Sequence, residues 1–193
     1  MARTREFDED TALKQAMELF WHKGYAETSM RDLSAHTGVS HAGLYNVFGD
    51  KRELFKKSLN LYDRIYGDMI LGALEEPSSG RTEIEAFFYM VLGAVISKQF
   101  SDGCMMCNTV AEFGDEPGDV LALAQTNIKR MTKAFDGALR RALKQGSIRT
   151  DLDPKVVAAF FTSTFHGIAV MSRAQMPSAH VKFTVETIIR QLD

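Results

Sequence analysis

Two cysteines three positions apart are the residues of this sequence best suited to covalent chemistry. Cys104 and Cys107 lie in the segment SDGCMMCNTVAEFG, where Ser101 or Asp102 could cap a helix that begins there. The amides and dipole of such a helix start would lower the pKa of Cys104 and favour its thiolate, which suits a redox or electrophile switch. The alternative is a pair of buried apolar thiols. No metal site is expected, because the sequence has no second ligand cluster.

The segment TGVSHAGLYNVFGDKRELF, from Thr37 to Phe55, has side chains suited to contacting duplex DNA. On a helix over residues 41–48, Leu44, Val47 and Phe48 share an arc of about 100° that would face a core. The opposite side carries His41, Ala42, Gly43, Tyr45 and Asn46. A surface helix normally carries Lys and Glu there, whereas small and uncharged side chains let the backbone approach the bases of the major groove.

The individual side chains of this region have distinct possible contacts. The Asn46 amide can pair with adenine, and the His41 ring can donate or accept at base edges. Lys51 would open the next helix, so its ammonium and the helix amides could converge on one anion. Hydroxyls that can bind phosphate oxygens belong to Ser29, Ser40 and Tyr45. The alternative is an ordinary three-helix cap with Tyr45 half buried.

Helical periodicity predicts the elements that position these residues. Helices are expected from Asp8 to Gly24, from a Ser29 cap to Gly38, over 41–48 after a Ser40 cap, and from Lys51 towards Leu74. After a linker at 75–83, further helices are expected near 82–100, 103–114, 117–146, 153–174 and 178–192. The predicted fold is all-α, with a helix-turn-helix DNA-binding domain over 1–50. A long helix joins it to a helical ligand-binding and dimerisation domain over 51–193.

Residues 12–55, ALKQAMELFWHKGYAETSMRDLSAHTGVSHAGLYNVFGDKRELF, resemble the N-terminal domain of TetR/AcrR-type transcriptional repressors. The shared features are the F…GY…TS entry, the GVS turn and the LY.VF.DK.ELF exit. The resemblance implies a homodimer on a pseudo-palindromic double-stranded operator, with a ligand-responsive C-terminal domain. It also implies that Ser29, Tyr45 and Lys51 hold phosphates. The residues that stand where family members touch bases or the adjacent backbone are Arg31, Ser40, His41, Ala42, Gly43 and Asn46.

The chain departs from the common family pattern at His41, often a lysine, and at Ala42, which leaves the operator sequence open. Some TetR-type regulators with a similar GC…N element sense electrophiles through the cysteine. An effector that binds better to the DNA-incompetent dimer would release the operator, with the long fourth helix as the mechanical path.

Apolar stripes on the last two helices resemble an interface between copies. The residues expected there are Val157, Phe160, Phe161, Ile168, Val181, Val185, Ile188 and Leu192. Two such helices from each chain would make a four-helix bundle, which together with the family resemblance favours a homodimer. The alternative is that both stripes are buried inside one protomer.

Ten methionines and thirteen phenylalanines suit an adaptable cavity for a small apolar or aromatic effector. The apolar residues expected to line it are Phe88, Met131 and Phe135, beside Cys104 and Cys107. The polar residues expected to orient the effector are Asn108, Glu112 and His166. A histidine among apolar neighbours is, alternatively, an ordinary core residue.

The bulk composition limits the other possibilities. The 193 residues carry a net charge of −2, so DNA binding must depend on placed charges and not on bulk attraction. The start of the chain has no apolar signal region, no apolar run approaches 18 residues, and two cysteines fit a reducing cytoplasm. No membrane contact and no cofactor are expected. Arg3 or Arg5 could touch DNA, or the leading arm could have no role.

Two alternatives from other classes are an all-helical enzyme and a helical scaffold without a DNA role. The sequence lacks the G-x-S-x-G, P-loop, H-E-x-x-H and G-x-G-x-x-G motifs, and the pair Cys104 and His166 has no recognisable spacing. A scaffold would be insensitive to salt in its behaviour towards duplex DNA, whereas a repressor that contacts phosphates would not.

Overall fold

A computed structural model describes residues 7–115 and 118–193, and the secondary structure over these ranges is helical, with no strand. The helices are α1 Glu9–Lys23, α2 Met30–Thr37, α3 His41–Phe48, α4 Lys51–Tyr62, α5 Asp68–Glu75, α6 Arg81–Ile96, α7 Met105–Phe113, α8 Asp119–Lys144, α9 Pro154–Arg173 and α10 Ser178–Arg190. This confirms the all-α prediction. The arm with Arg3 and Arg5 lies outside the described residues.

The N-terminal unit, α1 to α3, is held together by caps and a small core. Ser29 and Asp32 form a reciprocal capping box at the start of α2. The Gly43 amide donates to Ser40 Oγ over 3.1 Å at the start of α3. Phe20, Leu33, Leu44 and Phe48 fill the interior between the three helices. The sequence prediction of these caps and of the inward face of α3 is confirmed.

The long connecting helix contains a π-helical segment. Asp63–Gly67, here called the π-turn, joins α4 to α5 without a break in the helical path. Asn127 of α8 donates to Asp63 Oδ1 over 2.5 Å. A Cβ at Gly67 would clash with the same Asp63 oxygen, so a larger residue there would require the Asp63 side chain to move. A π-turn widens the helix and rotates the faces on either side of it relative to each other.

The C-terminal body, α5 to α10, is centred on packed aromatic rings. The rings of Phe88, Phe135 and Phe161 lie in mutual contact, with centroids 5.2 to 5.7 Å apart. These side chains come from α6, α8 and α9, so the cluster joins the three longest helices of the body. Each of the three is buried completely.

The predicted interface stripes face this core, which corrects the sequence interpretation. Phe161, Ile168, Val181, Val185, Ile188 and Leu192 are each at most 1% exposed within one protomer. A side chain buried inside its own protomer has no surface left for a partner. Val157 is half buried, and of the predicted residues Phe160 alone is exposed, at 47%. The alternative interpretation of the two stripes therefore holds for most of their residues.

Helix α9 is long and apolar enough to cross a membrane by length and composition alone. Its buried side packs along α8, where Thr132 and Thr162 are hydrogen bonded across the two helices. A core helix of a helical bundle meets the same criterion, so this property is weak evidence for a membrane span.

Candidate DNA-binding surface and effector region

The outward face of α3 is a narrow, uncharged surface. His41, Ala42 and Asn46 are exposed, and Tyr45 is 58% exposed. The face is positioned from below by Leu44 and Phe48, which are buried, and by Gly38, whose φ of 68° closes the turn after α2. The structure therefore brings these four predicted contact residues together on one surface.

Gly43 has a structural role that the helical wheel did not indicate. It is half buried, and a Cβ at this position would lie 2.9 Å from Val39 Cγ1. The wheel assigned Gly43 to the outward side as a residue that lets the backbone approach DNA. The lack of a side chain at Gly43 also allows α3 to pack closely on the preceding turn.

Ser29 and Arg31 begin the helix that precedes this face. The Ser29 hydroxyl donates to Asp32 Oδ2 over 2.7 Å, and Lys23 Nζ lies 3.3 Å from the same carboxylate. The backbone and side chain of Ser29, followed by Lys23, lower the pKa of Asp32 to about 2. In this conformation the Ser29 proton is committed to the cap, so a phosphate contact requires the hydroxyl to rotate. Arg31 is exposed.

Lys51 lies at the start of α4, as predicted, but over an aromatic ring. Its Nζ is 4.1 Å from the centroid of the Tyr25 ring. Partial burial lowers the pKa of Lys51, while the neighbouring Glu112, Asp32 and Glu27 carboxylates act against that shift. The ammonium is therefore held at the edge of the N-terminal unit rather than extended freely into solvent.

Glu112 contacts the N-terminal unit and is not among the residues that line the aromatic cavity described below. Its carboxylate accepts hydrogen bonds from the Tyr25 amide at 3.2 Å and the Ala26 amide at 3.0 Å. A Cβ at Gly24, where φ is 89°, would lie 2.6 Å from Glu112 Oε1. Helix α7 of the body thus binds the turn between α1 and α2 through a charge-assisted contact.

The segment before α7 makes a second contact with the end of α1. Trp21 Nε1 donates to the Gly103 carbonyl over 3.0 Å, and His22 Nδ1 lies 3.0 Å from Asp102 Oδ1. Arg173, at the end of α9, donates to the Trp21, His22 and Asp102 carbonyls over 3.2 to 3.3 Å. These contacts and the Glu112 contact with the Tyr25 and Ala26 amides are together called here the junction. The junction connects the N-terminal unit to both α7 and α9.

The burial of the two thiols favours the alternative interpretation, in which they are apolar packing residues. Cys104 is the N-cap of α7, and no side chain caps this helix start. Burial raises the pKa of the Cys104 thiol, although the Cys107 and Met106 amides act in the direction that was expected. Burial also raises the pKa of Cys107, which is half buried. The lowered pKa predicted for Cys104 is wrong, because desolvation outweighs the helix start.

The other predicted effector residues are used in packing. Phe88, Met131 and Phe135 are at most 4% exposed and belong to the core. Asn108 Nδ2 donates to the Asp102 carbonyl over 3.0 Å and so orders the loop before α7. Burial lowers the pKa of His166, whose Nε2 has no hydrogen-bond partner among the described residues. None of these residues lines the aromatic cavity described next.

An aromatic cavity of about 450 Å³ lies instead between α1, the π-turn and α6. Its walls include Trp21, Tyr62, Tyr66, Phe100 and Phe165. Helical periodicity did not predict this cavity, because its wall is formed by residues of both the N-terminal unit and the body. One local pattern is consistent with the cavity: Tyr62, Tyr66 and Ile70 recur at one-turn spacing along the connecting helix.

Two short helices that present a small, polar face above a buried core define a helix-turn-helix DNA-binding protein. Comparison with known families agrees with this class. Residues 12–57 match the model "Bacterial regulatory proteins, tetR family", and residues 80–188 match "Tetracyclin repressor-like, C-terminal domain". The chain belongs to the TetR family. It is a DNA-binding transcriptional regulator and not an enzyme.

Named relatives extend over most of the chain. It is 25% identical over 194 residues to the uncharacterized HTH-type transcriptional regulator YezE of Bacillus subtilis (strain 168), covering 100% of both. It is 28% identical over 172 residues to the HTH-type transcriptional repressor ComR of Escherichia coli (strain K12), covering 89% of this chain and 82% of ComR.

A similar solved structure is a cysteine mutant of the TetR family regulator CifR complexed with 26-bp double-strand operator DNA. The TM-score is 0.85 at 24% identity, with 100% of both chains covered. This similarity supports the fold. TetR regulators are typically dimeric.

Proposed function

We propose that this protein is a cytoplasmic homodimeric repressor that binds a palindromic operator and is released from it by a small apolar or electrophilic effector. The observation that carries the proposal is the outward face of α3. It combines exposure, absence of charge and capped ends with a buried inner face. Repression is inferred from relatives such as ComR, which is named a repressor.

Each DNA-facing residue has a proposed role. His41 and Asn46 read base edges, while Ala42 and Gly43 allow close approach. Arg31 contacts bases or the adjacent backbone. Tyr45, Ser29, Ser40 and Lys51 hold phosphates, which fix the orientation of α3 in the groove. We propose a DNA-binding domain over residues 1–50, with residues 51–193 as the effector-binding and dimerisation domain.

The dimer is proposed to use the outward face of α9 and α10 in place of the buried stripes. On α9 this face carries small or apolar residues at helical spacing, and on α10 it carries a phenylalanine. Its members are Val156, Ala159, Phe160, Ser163, Gly167, Val170 and Phe183, called here the outer face. Four of them are large apolar side chains between 47% and 65% exposed, namely Val156, Phe160, Val170 and Phe183. Exposed apolar side chains on both helices fit a self-association site.

Effector binding is proposed to act through the junction. Trp21, Glu112 and Arg173 join the body to the end of α1 and the turn after it. An effector that favours a different arrangement of these contacts changes the separation of the two α3 helices in the dimer. Half-sites lie about one helical turn of DNA, ~34–36 Å, or a multiple of it apart, so a changed separation weakens operator binding.

Substitution of the α3 face tests the proposal. The operator is first isolated by capture of genomic fragments on the purified protein. The double variant Tyr45→Ala with Asn46→Ala is then expected to bind it at least about 100-fold more weakly, because one phosphate contact and one base contact are lost per half-site. The matched control is Tyr89→Ala, since Tyr89 on α6 is similarly exposed at 52%.

Salt dependence provides a second measurement on the same fragment. The affinity of the unsubstituted protein is expected to fall steeply as salt rises from about 50 to 200 mM, by orders of magnitude if several phosphates are contacted. Equal capture by the double variant and Tyr89→Ala, with helicity retained, would reject α3 as the DNA-binding element.

A further inference from the structure

The aromatic cavity has walls that are ordered by their own ring contacts. The Trp21 ring lies 5.0 Å from the Tyr62 ring and 5.1 Å from the Tyr66 ring, measured between centroids. Tyr62 and Tyr66 are themselves 5.0 Å apart. Three rings fixed against one another form a preorganised surface, so a ligand does not have to order them when it binds.

The chemistry of the wall defines the class of ligand. The described residues that line the cavity include no Asp, Glu, Lys, Arg or His. The other concave sites, on α8, between α4 and α8, and at the ends of α6 and α9, include charged side chains. A charged ligand would lose its hydration in the aromatic cavity without gaining a counter-charge, whereas a flat aromatic ring would gain ring contacts.

The cavity has an adaptable mouth and polar groups on one side. Met69 and Met90 line it and are 62% and 40% exposed, so unbranched thioether side chains flank the opening. Ser97 and Gln99 provide a hydroxyl and an amide on the wall formed by the end of α6. The volume of about 450 Å³ is within the range of about 300–1,000 Å³ that is typical of small-molecule sites.

We propose that this cavity binds a planar, uncharged aromatic molecule, which stacks against Trp21, Tyr62 and Tyr66. The proposal deepens the proposed function, on which it rests for the regulatory consequence of binding. The ligand would touch the N-terminal unit directly, because Trp21 belongs to α1. It would also touch the middle of the connecting helix, because Tyr62 ends α4 and Tyr66 lies inside the π-turn.

Occupancy of the cavity is linked to the junction by one side chain. The indole of Trp21 faces the cavity, while its Nε1 donates to Gly103 next to the start of α7. A ring stacked on this preformed wall contacts Trp21 while the indole stays bonded to Gly103. A ligand that binds better to one orientation of α1 relative to α7 and α9 would favour that orientation, and through it we propose the ligand changes operator affinity.

Trp21 is the single tryptophan of the chain, so indole fluorescence comes from one wall of the cavity and the glycine substitutions below locate the bound probe. The full-length protein is titrated with N-phenylnaphthylamine, an uncharged fused-ring probe that accepts energy from tryptophan. Saturable quenching of Trp21 is expected. Anilinonaphthalene sulfonate, with the same rings and one negative charge, is expected to bind at least about tenfold more weakly, because the cavity has no counter-charge.

Two glycine substitutions locate the probe. Gly93 lines the cavity, and a Cβ there meets nothing within 4 Å, so Gly93→Leu adds a bulky side chain at the cavity from an unobstructed Cβ position. Gly72→Leu is the matched control, because Gly72 is also helical and unobstructed but does not line the cavity. Quenching is expected to weaken at least about tenfold in Gly93→Leu and to stay unchanged in Gly72→Leu.

The outcomes separate this proposal from the proposed function. Absence of saturable quenching, equal quenching in Gly93→Leu, or equal affinity for the neutral and the sulfonated probe would each overturn the site or its ligand class. Operator binding is measured in parallel without probe. If the unliganded protein binds no operator while Trp21 is quenched as expected, the cavity is supported and the proposed repressor function fails.

Discussion

The surface of α3 and the junction differ in the sequence separation of the residues that are in contact. The caps that shape the N-terminal unit join residues three positions apart, such as Ser29 with Asp32 and Ser40 with Gly43. The junction joins residues up to 152 positions apart, as in Arg173 with Trp21. The surface proposed to face DNA is therefore shaped by contacts between residues close in sequence, whereas the region proposed to regulate it exists only in the folded chain.

The polar side chains of the two regions also differ in whether they are exposed or bonded within the protein. On α3 the Tyr45 and Asn46 side chains are exposed and available to a partner. At the junction, the Glu112 carboxylate and the Arg173 guanidinium are bonded to backbone groups of the N-terminal unit. One region is arranged for recognition, and the other restrains the orientation of the recognising unit. This contrast implies that substitutions in the two regions change different measurable quantities.

The largest expected effect comes from two adjacent phenylalanines with opposite environments. Phe161→Ala removes a side chain that is completely buried among Phe88 and Phe135, and it should lower the free energy of unfolding by about 3–5 kcal/mol. Phe160→Asp should raise the dimer dissociation constant at least about 100-fold, because an interface would bury an unpaired carboxylate. Denaturant unfolding and sedimentation measure the two quantities.

Tyr89→Asp is the control for Phe160→Asp, because it places the same charge at another exposed aromatic position. If both variants remain dimeric to the same extent, the outer face of α9 and α10 is not the interface. If Phe161→Ala lowers the free energy of unfolding by no more than Phe160→Ala does, Phe161 does not belong to the protomer core.

The next effect concerns the thiols. Burial raises the pKa of both Cys104 and Cys107, so each should react with maleimide at pH 7 at least about tenfold more slowly in the native protein than in denaturant. The single variants Cys107→Ser and Cys104→Ser report on one thiol each. A native rate at Cys104 above its unfolded rate would restore the thiolate prediction.

The same shifts determine a dependence of stability on pH. Because the folded pKa of each thiol lies above the unfolded value of 9.0, the unfolded chain releases its protons first as pH rises. The contribution of these two thiols to the free energy of unfolding should therefore be constant below about pH 9.0 and fall at higher pH. Replacing both cysteines with serine should remove this part of the alkaline destabilisation.

The smallest expected effect concerns the contact between α7 and the turn after α1. Glu112→Gln keeps the shape of the side chain but removes its charge, so the Tyr25 and Ala26 amides should exchange hydrogen about fivefold faster. Glu27→Gln is the control, since Glu27 is an exposed carboxylate in the same turn. Unchanged exchange at both amides would show that the contact adds no restraint.

The N-terminal unit was predictable in detail because its signals are local. Ser29 and Ser40 cap α2 and α3 at the predicted positions, and Leu44 and Phe48 face inward as the wheel indicated. Gly43 is the exception. Its contact with Val39 depends on the closure of the turn and not on the periodicity of α3.

The helices of the body were predictable from the sequence. Which face of each helix contacts the core was not. The stripe on α10 was correctly identified as apolar, but periodicity cannot distinguish a core from an interface, and Val181 and Val185 face the core. Glu112 was expected to orient an effector, whereas its carboxylate accepts hydrogen bonds from two amides of the N-terminal unit.

The sequence by itself determined the helices, their caps and the uncharged outer face of α3, because each depends on residues within one or two turns. Only the tertiary structure decided that α9 and α10 bury their predicted stripes, that Glu112 and Arg173 bind the N-terminal unit, and that burial raises the Cys104 pKa. These properties depend on desolvation and on partners more than 60 positions away, such as Gly103 for Trp21, a separation of 82. No local pattern carries that information.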